Sequence, residues 1–231
     1  MRIFAILVAL AVLTAPAAAQ EPSRATVLNV NAMGEVSARP DMATIQLGVR
    51  TTGATAQAAM ADNAAAMSAL TRALRQAGLA ERDIQTAYMS VNPRYRGQDN
   101  QTIDQYVATN TVRAVVRDID SVGAIIDRAA VAGANTVSGI SFGLQNPEPQ
   151  INQARLEAVT DARERAELYA RALGMHVERI ISITEAGAAA PSFNDEIIVT
   201  ASRRSGGSYT TPVSPGELIS RANVSVSFEL R

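Results

Sequence analysis

Two stretches of this chain repeat small and apolar residues every three or four positions, and both argue long amphipathic helices. The first runs from Ala54 to Ala77 through Met60, Ala64, Met67, Leu70 or Thr71, Leu74 and Ala77, and Gly78 follows where a C-terminal cap belongs. The second runs from Pro147 to Leu173 through Ile151, Ala154, Ala158, Ala162, Ala166, Tyr169 and Leu173. It is opened by Asn146-Pro147-Glu148, which reads as a side-chain acceptor, a proline that forgoes no needed donor, and a carboxylate at the positive end of the dipole. Faces made of alanine, methionine and leucine are shallow. They call for close packing on a sheet.

The strands to supply that sheet are present. Alternation places one around Val27, Val30 and Met33 and another through Ile45, Leu47 and Val49, with Pro40-Asp41 as the turn between them. "DIQTAYMSVNPRY" and "IDQYVATNTVRAVVRD" read as two more, the second with Tyr106, Ala108, Val112 and Val115 apolar. Asp118 or Asp120 can cap a short helix carrying Val122, Ile125, Ile126 and Ala129, closed by Gly133. "NTVSGISFGLQ", "VERIISITEA" and "ANVSVSFELR" complete the set. The expected fold class is α+β: a mainly antiparallel sheet with long amphipathic helices packed on it.

The chain opens with Met1-Arg2, an apolar run from Ile3 to Leu13, and the small residues Ala17-Ala18-Ala19. That is the pattern of a secretory signal peptide over residues 1–19, with cleavage expected after Ala19. Its apolar core is too short to span ~30 Å of hydrocarbon, and no later stretch approaches the roughly 20 apolar residues a membrane helix needs. Residues 20–231 then form one domain, with a flexible loop at about 187–215. The 231 residues include no cysteine, which excludes disulfides, thiol catalysis, zinc-thiolate sites and a lipidated N-terminus. A net charge of −1, without lysine or tryptophan, offers no basic field for nucleic acid.

Chemistry is sparse. The single histidine, His176, cannot gather a metal cluster, no other group has ligand spacing, and no phosphate-binding glycine loop occurs, so neither metal nor cofactor is expected. Gly139-Ile140-Ser141-Phe142-Gly143 fits the G-x-S-x-G of serine hydrolases, with Asp161 and His176 following in hydrolase order. A nucleophile elbow, however, needs a helix to start at the serine, and here Ile140, Phe142 and Leu144 keep alternating past it. The chain reads as non-enzymatic, with Ser141 hydrolysis as the weakest alternative.

The ordered motifs resemble the SIMPL-domain family of exported bacterial proteins. They are Gly34-Glu35-Val36, Pro40-Asp41-Met42-Ala43, "GVRTTGATAQAA" with Asn63, "DIQTAYMSVNPRY", "YVATNTV", "AGANTVSGISF", "EAVTDARERAELYARALG" and "PVSPGE". Ala32 departs from the pattern, standing where the family usually has the first glycine of V-x-G-x-G. The resemblance implies an α+β subunit, a periplasmic or outer-membrane-associated location, ring-like or channel-like homo-oligomers in some members, and a loose tie to oxidative and envelope stress. It implies no catalytic residue.

One stretch falls outside those motifs. "DEIIVTASRR" sets an apolar, β-branched run between two low-complexity segments, and Glu196, Ile197, Ile198, Val199, Thr200 and Ala201 resemble the TonB box. An extended peptide on a tether can add to the sheet edge of a partner, so a TonB-like periplasmic protein is a candidate partner for these residues. Its competitor is an extra edge strand within this domain, or a hairpin with the final strand.

Overall fold

A computed structural model describes residues 25–96, 102–193 and 211–231, with the backbone alone for 187–193. The order is β1 (Thr26–Ala38), β2 (Met42–Gly53), α1 (Ala56–Gln76), a 3-10 turn (Glu81–Asp83), β3 (Ile84–Arg96) and β4 (Thr102–Val116). A second 3-10 turn (Ile119–Ser121), α2 (Val122–Val131), β5 (Thr136–Gly143), α3 (Glu148–Ala172), β6 (Val177–Phe193) and β7 (Leu218–Leu230) follow. All strand pairings are antiparallel. The α+β expectation holds, but the strands form two sheets, ordered β1-β7-β6 and β3-β4-β2-β5.

Each sheet has its own core. Ile45, Leu47, Val49 and Val112 of the four-stranded sheet pack with Leu70 and Leu74 of α1 and Ile125 of α2. Val30, Ala32, Val226 and Phe228 of the three-stranded sheet pack under Ala158, Ala162 and Ala166 of α3. The crossing between sheets falls at the buried Pro40. There the Asp41 N–H donates to Gly143 O at 3.1 Å and the Asp41 carboxylate accepts from Gln145 N at 2.7 Å, which fastens the turn to the end of β5.

The alanine face of α3 is a packing device. A Cβ built on Gly34 of β1 would lie 2.6 Å from Ala158 N and closer still to the Ala154 carbonyl, so helix backbone rests on strand backbone at this point. Ala32, two residues earlier, is buried beneath the same helix and its methyl is accommodated. The stripe continues in steps of four to Ala170; Tyr169 and Leu173, expected in it, are 50% and 66% exposed. Asn146 does not cap: Pro147 occupies the N-cap position without a side-chain bond, and Pro149 falls in the first turn.

Parity corrects other positions. On β1 the inward row is Val30, Ala32 and Gly34, so Val27 and Met33 face outward, and on β4 the inward row through Val112 leaves Val115 out. In α1, Met60 is exposed and Ala59 and Asn63 are buried instead, with Thr55 capping through a bond from Ala58 N. β6 continues to Phe193, so strand pairing claims the first residues of the expected loop, while residues 211–217 ahead of β7 are in no strand.

Candidate interaction surface

The hydrolase-like constellation is not assembled. Ser141 lies mid-strand in β5 opposite Thr44, the strand runs on to Gly143, and the next helix starts at Glu148. Asp161 belongs to α3 and pairs with Arg165, while His176 follows that helix, its ring 3.3 Å from Glu178 and its backbone bonded both ways to Arg231. Ser141 therefore sits in one sheet and the other two against the other. Among the described residues no group of three His, Asp or Glu could hold a metal, and no helix is long and apolar enough to cross a membrane.

The TonB-box-like residues Glu196 to Ala201 lie outside the described residues. Their flanks are fixed. On one side Phe193 pairs with Leu218. On the other, Thr211 donates from N and Oγ1 to the Asp127 carboxylate of α2 at 3.3 and 2.7 Å. The Thr211 carbonyl lies where a side chain at Gly123 would project, so the "PVSPGE" motif is a strap laid on α2, with Val213 reaching the first core.

What the structure offers outward is sheet edge. α3 lies over β1 and β7, and β6 extends beyond it. Ile180 pairs with Phe228 and Ile183 with Val226, both core residues, so these isoleucines lie on the helix side of the sheet. They are nonetheless 53% and 55% exposed. The Arg155 guanidinium, 2.9 Å from Glu185, ties one flank of α3 to β6. Val159, Tyr169 and Leu173 follow Arg155 along that flank at helical spacing, all at least partly exposed. The helix side of β6 is thus left largely uncovered, beside a strand edge that has no partner among the described residues. Register shifts at four points along β6 kink that edge, a feature that limits indiscriminate pairing. Sequence alternation found the strand, but its exposure depends on the helix stopping short.

The other sheet repeats the theme. β2 pairs with β4 only as far as Tyr106, so beyond it β3 and β4 continue as a two-stranded arm. Asp104 bridges Arg94 and Arg96 there at 3.0 and 2.9 Å, and these bonds hold its carboxyl below the ordinary range. At the opposite end Arg117 donates two bonds to Asp83, from Nε at 3.1 Å and Nη2 at 2.8 Å. Asp83 is buried, and the hydrogen bonds from Arg117 outweigh burial to keep its carboxyl below 3.8. Gln145 donates to Arg117 O and Asp41 O, so the exits of β4 and β5 and the inter-sheet turn share one polar junction.

Residues 28–228 match the family model SIMPL, described as a protein of unknown function (DUF541). The chain belongs to the SIMPL family. This SIMPL protein is 33% identical over 179 residues to the 26 kDa periplasmic immunogenic protein of Brucella melitensis biotype 1, an alignment covering 74% of the chain and 72% of the relative. It is 31% identical over 144 residues to the uncharacterized protein YggE of Escherichia coli K12, covering 61% and 57% respectively. The YggE of Edwardsiella ictaluri is 27% identical over 173 residues, covering 69% and 72%.

Proposed function

We propose that this SIMPL protein is a non-catalytic subunit exported to the periplasm, where it assembles with copies of itself through the edge of β6 that has no partner among the described residues and the uncovered apolar face beside it. The observation that carries the reading is the exposure of Ile180 and Ile183 on the helix side of an edge that is unpaired among the described residues. Burying such side chains contributes roughly 25 cal/mol per Å² of apolar area, and strand addition satisfies backbone groups at the same time. Export is supported by the apolar N-terminal run of residues 1–19 and by the periplasmic location named for the Brucella relative. Light-scattering mass measurement on the mature chain tests the assembly. A strict monomer at micromolar concentration removes it.

A second reading is favoured by the fixed flanks, Phe193 and Thr211, of the TonB-box-like segment. Tethered at both ends to a folded body, residues 196–201 would dock on a TonB-like transducer by strand addition. Titration of a peptide covering residues 194–204 against the C-terminal domain of such a transducer is the test; absence of heat at high micromolar peptide rejects the idea.

A further inference from the structure

Residues 211–217 form no strand, yet they sit against α2 as a bound peptide would. Thr211 brings two donors, N and Oγ1, to one acceptor, the Asp127 carboxylate. Its carbonyl fills the space over Gly123, so any larger residue at 123 would push the strap away. Pro212 and Pro215 then face Ile119 and Ala124 across a cleft of about 400 Å³, and Val213 reaches the first core.

The seat is specific in its chemistry and light in its anchorage. Each proline fixes φ and carries no N–H, so the segment arrives partly ordered and asks the groove for few acceptors. Thr211, Pro212, Ser214, Gly216 and Glu217 are exposed, and only Val213 and Pro215 are half-buried. From Leu218 onward the chain is held by pairs with β1 and β6, so lifting the strap breaks none of that ladder. Segments with so few buried contacts are the first to open.

We infer that the groove on α2 is a recognition site for a Thr-Pro-Val-Ser-Pro segment, filled in the single chain by its own strap and open to the strap of a second copy when its own is lifted. The strap in cis holds the advantage, because its attachment to β7 keeps it at high effective concentration. Every copy carries both groove and segment, so the exchange needs no further partner. It is independent of the β6 contact, since it uses a helix packed on the other sheet.

Fluorescence anisotropy of a labelled peptide covering residues 208–217, titrated with the mature chain, tests this. Thr211→Val combined with Val213→Ala weakens the strap in cis by removing the hydroxyl donor and the core contact, and leaves the groove intact. That double variant is expected to bind the peptide at least about tenfold more tightly than the parent, the effect of one charge-assisted hydrogen bond. Adding Gly123→Ala is expected to abolish the binding. Overturning results are equal affinity for parent and double variant, no binding by the double variant, or binding that survives Gly123→Ala. Hydrogen exchange gives a readout that needs neither peptide nor double variant. Gly123→Ala in the parent chain is expected to speed exchange of the Thr211 amide while the amides of β7 stay protected, and an unchanged Thr211 amide also rejects the site.

Discussion

Asn63 donates from Nδ2 to the backbone oxygen of Val49 at 2.9 Å, from a fully covered position where the stripe of α1 would otherwise be apolar. A longer contact, 3.4 Å, reaches Ala108 O on the neighbouring strand β4, so one amide ties the helix to two strands at once. Removing it as Asn63→Ala strands buried carbonyl groups. The expected loss is about 1–3 kcal/mol in urea unfolding, with the slope on denaturant unchanged.

The contact of β1 with α3 makes a paired prediction. Gly34→Ala places a methyl against helix backbone, which cannot rotate away, and is expected to cost about 2–3 kcal/mol and lower the melting temperature. Ala32→Gly, which restores the usual family glycine, removes a packed methyl and adds backbone freedom. Its expected cost is about 1 kcal/mol, so differential scanning calorimetry should rank the two.

Acid sensitivity should localise to Asp83. Its carboxyl is held below 3.8 by hydrogen bonds from Arg117, so its contribution to stability is complete above that value and is withdrawn as pH falls through the lower folded one. Arg117 is half-exposed, so solvent screens the pair and tempers its contribution. Unfolding midpoints at pH 7 and pH 3 are the measurement. Asp83→Asn is expected to lower the midpoint at pH 7 and to show a smaller drop between the two pH values than the parent.

Assembly through β6 predicts that Ile183→Arg, with or without Ile180→Arg, shifts the protein to smaller species in sedimentation velocity. Its melting temperature should stay within a few degrees of the parent, since both side chains are half-exposed in the single chain. An assembly of unchanged size in the double variant would exclude this edge as the contact.

The limits of reading the chain show in particular residues. Alternation through Ile45, Leu47 and Val49 located β2 and its buried face, because period two in a strand translates directly into side-chain direction. In α3 the stripe from Ile151 to Ala166 was readable for the same reason, and it went astray from Tyr169 onward, at Tyr169 and Leu173. There two continuations of the period were open, and the position of the sheet selected Ala170. Asn63 was visible only as part of a family motif; its polarity gave no hint of burial, since the carbonyl it satisfies is supplied by another element.

By itself, then, the sequence determined the kinds and order of the elements, the antiparallel α+β class and the absence of cysteine chemistry, because these follow from local periodicity and composition. Only tertiary structure decided that β1 joins β7 rather than β2, dividing the strands between two sheets, and that α3 stops short of β6. Strand partners are chosen by the burial they make possible across the length of the chain, which no window of neighbouring residues contains. The same non-local choice left Ile180 and Ile183 uncovered and Asn110 Oδ1 without a donor among the described residues.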